Sequence, residues 1–580
     1  PDIAISPIEP AAGAQDLVCA LVNPALDDDD DDVITYTFAW TVDGAAYEYA
    51  ESWGAHSGDT VPGFATSGGE VWTCTVTATD GEASTTSETA SVFPVVKFVG
   101  WGTDPVEIDD WSTTLYGTNN GEKAGTALAN AGDINDDDCP DLLVGAPFYK
   151  NGSTTGAGRA YLALYSDSPS PYLDTAYRVY ESTTQSLFGY SLSGQADLGG
   201  TGLPDVAIGA PQYDRHQNAD GIVAVYFDGG PDLEGPLQVE DADVLLVGES
   251  NGDQAGFSVS FVPDMTLDGK SELLVGAPFE DKGGTNAGAA YLIPSELLLA
   301  SDEIDLNDAG VKFIEGESGK DRAGSQVKPA GDIDGDGITE LLVSATHWGG
   351  AYAGRVYVVN GYDVISAPIL VDLENADHIF KGEDGHDNAG AAIDGNFDAD
   401  GDGKPDILIG APHPNEDDMD DLLVDHPAGR AYVIFGRSLP GIGILTLDGA
   451  NVTIECDTEN CARTDTQQSL GASVSGATDV DDDGFADVLV GAPNYKTSHK
   501  QAGAVGLFFG DSLTEGGAFG IASADAMFHG QGTNNYAGTA VIGMGDIDGD
   551  GWEDFAVGEP GEGSVVSNGG LIHILLSPGS

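Results

Sequence analysis

The sequence predicts an all-β chain: a seven-bladed β-propeller with four-stranded blades, preceded by a β-sandwich. Three observations carry this expectation. An acidic phrase recurs seven times at a period of about 67 residues, which marks a repeat architecture before any local motif is read. Each copy sits among four short apolar runs separated by Gly, Asp and Pro, with no helical period. The residues ahead of the first copy lack the phrase and carry a Cys, a Trp and a second Cys instead.

The copies read DINDDDCPDLLVGAP from Asp133, DLGGTGLPDVAIGAP from Asp197, DMTLDGKSELLVGAP from Asp264 and DIDGDGITELLVSAT from Asp332. They continue as DADGDGKPDILIGAP from Asp398, DVDDDGFADVLVGAP from Asp479 and DIDGDGWEDFAVGEP from Asp546. Their spacings are 64, 67, 68, 66, 81 and 67 residues. A small or apolar residue followed by Gly precedes each phrase, as in Ala124-Gly125 and Phe188-Gly189. An apolar run such as LLVGAP follows, then a third run such as AGRAYLALY, then a fourth such as ADVLLVGES. Four strands make one sheet, and seven such sheets make a seven-bladed propeller. A solenoid fits less well, because its units are shorter and need polar caps.

The chain ends on an apolar run, LIHILLS, placed as the third strand of its blade. The missing fourth strand matches STTLYG, residues 112–117, so the N-terminal strand is expected to close the last blade and remove an open edge. The 81-residue step places extra loop in the fifth-to-sixth region, with residues 415–427 and the Cys456–Cys461 segment as candidates.

Residues 1–97 form the expected first domain and 98–580 the propeller. In the first, Cys19 lies in DLVCALV, Trp40 in TYTFAWTVDG and Cys74 in VWTCTVTATDG. That order fits an immunoglobulin-like sandwich with an inter-sheet Cys19–Cys74 disulfide. Trp72 departs from the pattern, standing where a corner tyrosine is usual. Cys456 and Cys461 are close enough to clip a loop in an oxidising compartment, which leaves Cys139 over.

Charge narrows the functional classes. Twenty basic against 97 acidic residues give a net charge of −77. Such a chain cannot neutralise phosphates, which excludes nucleic acid, and it disfavours an anionic membrane surface. Cation binding, a cationic partner or solubility in high salt remain. No apolar stretch is long enough for a transmembrane helix. The chain opens on Pro1 without a charged-then-apolar leader and reads as a mature or trimmed segment.

The acids of the repeated phrase have the spacing of a cation cage. At loop positions 1, 3, 5 and 9 they point the same way round a tight loop, with the position-7 carbonyl among them. A hard cation with 6–8 oxygen ligands fits, and calcium suits the loop better than magnesium, which demands stricter octahedral geometry. An EF-hand needs a bidentate Glu at position 12; here that place is Val144, Ile208, Val275, Val343, Ile409, Val490 and Val557.

Four loops are complete: Asp332, Asp334, Asp336, Ile338 and Glu340; Asp398, Asp400, Asp402, Lys404 and Asp406; Asp479, Asp481, Asp483, Phe485 and Asp487; Asp546, Asp548, Asp550, Trp552 and Asp554. The first loop offers Asp133, Asn135, Asp137, Cys139 and Asp141 and is expected to bind. The third, with Asp264, Thr266, Asp268 and Glu272, is expected to be weaker. The second has only Asp197 and Asp205 beside Gly199 and Thr201, and is expected to be empty or weak. Five or six calcium ions follow, one per competent loop.

These residues resemble FG-GAP repeats, the unit of the integrin alpha-chain head. Phe188-Gly189 and the GAP or near-GAP tripeptides carry the likeness, over about residues 112–580. The resemblance implies a seven-bladed propeller with calcium loops on its lower face. It also implies an upper face that holds extracellular ligands and pairs with a beta chain. The first loop here looks competent, whereas integrin alpha chains keep such loops in later blades; no inserted domain separates the second and third copies, and an Ig-like module stands in front. The chain is therefore read as a soluble or secreted relative from a microbe in a saline setting.

By the same resemblance, aromatics after the GAP tripeptide, Tyr149, Tyr213, Phe279, Trp348 and Tyr495, are candidates to cage a basic side chain of a protein partner or to meet a glycan. The competing reading is that they plug the blade junctions. The expected function is a calcium-stabilised extracellular or cell-surface adhesion or ligand-binding protein, not an enzyme. The alternative is a carbohydrate- or lipid-active secreted enzyme, or a binding propeller attached to one, since fold alone does not fix function. Against an enzyme, the sequence has no HExxH and no full GxSxG, and its partial GFS, GAS and GYS matches recur with the repeat.

Overall fold

The computed structural model describes residues 112–577 except 166–170, 216–218, 232, 234, 367–369, 413–428, 440–441, 457–467 and 498, together with residues 34, 106–108 and the strands before residue 93. The chain divides into two compact units, Pro1–Gly100 with Pro578–Ser580, and Trp101–Ser577. The expected boundary at residues 97 and 98 and the loop at 415–427 lie outside the described residues.

The first unit holds two antiparallel sheets. One runs Asp2–Ser6, Leu17–Asn23, Gly58–Val61, Glu51–Ser52; the other runs Ala45–Tyr47, Thr35–Val42, Trp72–Thr79, Ser84–Thr86, with Ala90–Val92 also on Trp72–Thr79. Alternation decides which side faces in: Tyr36, Phe38 and Trp40 are buried, as are Cys74, Val76 and Ala78, while Thr37 and Ala39 are exposed. A period of two is what a half-buried strand requires. Cys19 on the first sheet is bonded to Cys74 on the second. Trp40 lies directly across the ladder from Cys74.

The second unit is a closed ring of seven sheets. The first blade comprises Ala127–Gly132, Asp141–Ala146, Arg159–Ala163 and Arg178–Glu181, joined as successive antiparallel neighbours. Five further blades repeat this order. In the last, Ala540–Gly545, Asp554–Glu559 and Leu571–Leu575 are completed by Ser112–Tyr116, which pairs antiparallel with Leu571–Leu575. The N-terminal strand thus closes the last blade, as the strand count in the sequence required.

The second strand of every blade is buried along its full length. It is covered by neighbouring blades on both faces, so its sequence is a continuous apolar run rather than an alternating one. The core lies between blades: Leu142, Val144 and Tyr161 of the first pack with Ala556, Ile572 and Ile574 of the last. Seven equivalent parallel bridges stitch consecutive blades, and Ala124 to Gly570 is the one that closes the ring.

One feature differs from the four-stranded expectation. The outer strand of six blades also pairs, in parallel, with a short segment from the connection ahead of the next blade's fourth strand. In the first blade this is Leu237–Gln238 against Tyr180 and Glu181. The segment covers backbone groups that would otherwise form an open edge. The extra length of the 81-residue step falls between Ala411 and Arg430 and between Glu455 and Ser473.

Candidate metal centres and the opposite face

Each Asp loop joins the first and second strands of its blade, so all seven emerge on one face. Strand antiparallelism puts the connections from second to third strand, and from fourth strand to the next blade, on the other face.

Within the loops, backbone amides fix the carboxylates. In the last, the Asp546 carboxylate accepts from Asp550 N (3.0 Å) and Gly551 N (2.9 Å). Asp550 accepts from Trp552 N (3.0 Å). The same pair of bonds to the first Asp recurs at Asp133, Asp264, Asp398 and Asp479. Glycines at left-handed φ make these turns, as at Gly549 (φ 75°) and Gly551 (φ 95°).

Five loops bring three acids together with one ligand oxygen each, all within 4.8 Å of one another. The sets are Asp264, Asp268 and Glu272; Asp332, Asp334 and Asp336; Asp398, Asp400 and Asp406; Asp479, Asp481 and Asp483; Asp546, Asp548 and Asp554. In the first loop, Asn135 Nδ2 bonds Asp137 (2.9 Å) and its buried Oδ1 has no hydrogen-bond partner. Asp481 Oδ1 and Glu340 Oε1 are likewise buried without a donor. Oxygens held this way by a rigid loop fit a hard cation, which would supply the missing positive partner.

The position-9 acid has a second task that the spacing did not reveal. Asp487 accepts from Val480 N (2.7 Å) in its own loop and from Gly510 N (2.9 Å) after the third strand. Asp141, Asp406 and Asp554 bridge the same two places. So does Asp205 in the second loop, from Leu198 N (2.7 Å) and Asp228 N (2.9 Å), although positions 3 and 5 there are Gly199 and Thr201. The buried carboxylate is therefore a latch between two connections, with or without a cation. Burial pushes these groups up, to about 9 at Asp487, about 8 at Asp554, about 7 at Asp141 and Asp406 and about 6 at Asp205.

The two tasks separate by mutation. Asp205→Ala leaves two amides without their acceptor and is expected to cost about 3 kcal/mol, equally in calcium and in chelator. Asp334→Ala, at the exposed third place of the fourth loop, is expected to lower stability chiefly when calcium is present. Thermal unfolding of both variants in the two conditions checks this.

Sequence reasoning missed the residues that reach over the loops from the connection after the third strand. Ser295 Oγ bonds Asp268 (2.7 Å), Asn360 Nδ2 bonds Asp334 (3.0 Å), and Arg437 Nη1 lies 3.0 Å from Asp400. Their types differ from blade to blade, so no periodic signal marks them.

On the opposite face the five aromatics do not form one set. Tyr213 and Tyr495 are buried, at 6% and 3% exposure. Tyr149 stacks on Arg159 (3.6 Å) and Trp348 on Arg355 (3.4 Å), both from the chain's own third strands. Phe279 faces Arg322 at 4.8 Å. Phe279 is also one residue out of register: three residues beyond the second strand stand Tyr149, Tyr213, Trp348 and Tyr495, but in the third blade Glu280. Cys456 is disulfide-bonded, Cys139 is free, and Cys461 lies outside the described residues.

Fold and loops together define a seven-bladed β-propeller, and five of its blades match a known repeat. The FG-GAP repeat model matches residues 124–162, 255–293, 324–359, 470–508 and 538–575, which are the first, third, fourth, sixth and seventh blades. Among known proteins the chain is similar to integrin alpha pat-2 of Caenorhabditis elegans, 28% identical over 242 residues, 39% of this chain and 18% of the relative. Integrin alpha-PS5 of Drosophila melanogaster is 39% identical over 189 residues, covering 32% of this chain and 17% of the relative. Phosphatidylinositol-glycan-specific phospholipase D of Homo sapiens is 30% identical over 240 residues, covering 39% and 26%. The matches thus span roughly a quarter or less of each relative's length, and the propeller is integrin-like. Among the described residues no helix is long and apolar enough to cross a membrane.

Proposed function

We propose that the chain is a calcium-stabilised, non-catalytic binding head that works outside the cell or at its surface. The observation that carries this reading is the set of five in-register Asp loops with converging oxygens, in a propeller similar to integrin alpha chains. Calcium there organises the lower face, and a protein ligand is met on the opposite face. The first unit, with two sheets tied by Cys19–Cys74 and Trp40 beside the bridge, is read as an immunoglobulin-like module. Its disulfide favours an oxidising compartment. The half-buried Trp348 and Phe279 are the post-GAP aromatics placed to meet a ligand; Tyr213 and Tyr495 serve as blade packing.

The test is binding of the full chain to a matrix-protein array, in calcium and in chelator. Trp348→Ala with Phe279→Ala is expected to lower binding at least fivefold while calcium-dependent melting stays within about 2 °C. Retained binding in that variant would remove these aromatics from the ligand face. The similarity to a phospholipase D keeps one second reading, a propeller that accompanies a lipid-active enzyme. Binding of phosphatidylinositol-glycan vesicles by the purified chain, without turnover and without binding to the matrix-protein array, would favour it.

A further inference from the structure

In four blades the residue at position 8 of the Asp loop reaches the start of the loop in the preceding blade. Pro204 of the second loop and Pro405 of the fifth pack on Gly132 and Gly331, which stand just ahead of the first and fourth loops. A proline ring has no N–H to give and offers van der Waals contact alone. In the sixth loop position 8 is Ala486, whose N–H donates to the carbonyl of Asp398 (2.9 Å), the leading residue of the fifth loop. In the seventh it is Glu553, whose Oε2 accepts from Asp479 N (2.7 Å), the leading residue of the sixth loop. The other six loops have Pro140, Pro204, Ser271, Thr339, Pro405 and Ala486 at this place, so the carboxylate is peculiar to the seventh.

Both ends of the Glu553 bond lie inside a cage. Asp479 organises the sixth: its carboxylate holds Asp483 N (3.1 Å) and Gly484 N (2.9 Å) and converges with Asp481 and Asp483. Glu553 stands between Trp552, whose carbonyl is the expected position-7 ligand of the seventh loop, and Asp554, which belongs to the converging set there. Its own carbonyl accepts from Ser577 Oγ. A cation in the seventh loop therefore fixes the backbone on both sides of Glu553, and Glu553 in turn fixes the residue from which the sixth cage is built. A backbone N–H given to an ionised carboxylate is one of the stronger hydrogen bonds.

We propose that Glu553 couples the cation sites of the sixth and seventh loops, so that an ion in either loop favours an ion in the other. The inference rests on the calcium reading of the loops and adds a positioning residue that is itself outside both ligand sets. The first ion meets the cost of ordering Glu553 and Asp479, and the second then binds a cage already set. Coupling of this kind is reciprocal. Its sign is diagnostic, because two cations in neighbouring loops repel and direct electrostatics would make each ion disfavour the other.

The experiment is a terbium titration of the full chain, read by luminescence excited through tryptophan. Trp552 is the one tryptophan within an Asp loop, and the signal that Trp552→Phe removes reports the seventh loop. Asp481→Asn with Asp483→Asn empties the sixth loop and is expected to weaken terbium in the seventh by about fivefold or more. Asp334→Asn with Asp336→Asn empties the fourth loop, which does not adjoin the seventh, and is expected to leave the seventh within about twofold. In a Glu553→Ala background, emptying the sixth loop is expected to move the seventh by less than about twofold, whereas Glu553→Gln, which keeps an acceptor oxygen, is expected to retain the dependence. A seventh-loop affinity unchanged or tightened by emptying the sixth overturns the proposal and leaves the calcium reading standing. So does a dependence that survives Glu553→Ala, or an equal weakening on emptying the fourth loop, since the effect then travels through overall stability. No seventh-loop terbium signal in the parent overturns the calcium reading itself, and the coupling with it.

Discussion

Chelation is expected to lower the melting temperature of the propeller by roughly 10–15 °C. An ion at a hundredfold excess over its Kd stabilises the folded state by about 2.7 kcal/mol, so five loops contribute roughly 13 kcal/mol. Unfolding entropy of about 2.1 cal/mol/K per residue makes that roughly 13 °C for a unit of this length. The pH dependence in chelator has a definite sign. Asp487, Asp554, Asp141 and Asp406 are raised by burial to between about 7 and about 9, well above the ordinary carboxylate value. The folded state therefore binds more protons than the unfolded chain between about pH 4 and those values. That stabilisation is complete below about pH 4 and is lost as pH rises through 7 to 9. In chelator the protein should melt higher at pH 5.5 than at pH 8.5. In calcium the order should reverse, because protons compete with the ion for carboxylates of the converging sets such as Asp406 and Asp554. Scanning calorimetry at the two pH values, with and without calcium, decides it; a melting temperature indifferent to calcium at pH 8.5 would refute the loop assignment.

How much of this was legible beforehand follows from what each residue must satisfy. A cation cage needs oxygens at fixed offsets, so the loops from Asp264, Asp332, Asp398, Asp479 and Asp546 could be placed by spacing alone. The all-buried second strands show as apolar runs, because blades cover them on both sides. Strand counting assigned residues 112–117 to the last blade, where the strand Ser112–Tyr116 stands, since a closed ring tolerates no missing strand. The short outer strands were illegible: Leu237–Gln238 pairs through backbone groups that almost any side chain can present. The latch role of Asp205 was hidden because its partners, Leu198 N and Asp228 N, are amides common to every residue. The arginines under Tyr149 and Trp348 were visible in AGR, but their stacking depends on a connection folding back ten or so residues later.

Replacing Gly558 by Ala is expected to open the ring and destabilise the propeller by about 3 kcal/mol or more. A Cβ on Gly558 would lie 2.1 Å from the carbonyl oxygen of Gly125 in the first blade. Backbone cannot yield there as a side-chain tip could. The contact is the FG-GAP motif seen in three dimensions: the GAP glycine of one blade meets the glycine that opens the next. It recurs as Gly145 on Gly189 (2.2 Å), Gly209 on Gly256 (2.2 Å), Gly276 on Gly324 (2.1 Å), Gly410 on Gly471 (2.0 Å) and Gly491 on Gly538 (2.3 Å). Only the fourth blade departs, with Ser344, whose hydroxyl takes Gln326 N at 3.0 Å. At the last junction the ring has no chain continuity between Leu571–Leu575 and the first blade's Ala127–Gly132 except through the N-terminal strand Ser112–Tyr116. A wedge there should expose Ser112–Tyr116 and Leu571–Leu575 to amide exchange before any other blade, with protection lost by about a hundredfold for 3 kcal/mol. Gly449→Ala is the control: nothing lies within 4 Å of its added Cβ, and its backbone is not left-handed. That variant should stay within about 0.5 kcal/mol of the parent. Equal stability of the two variants would mean that the glycine contact between the last and first blades does not hold the ring shut.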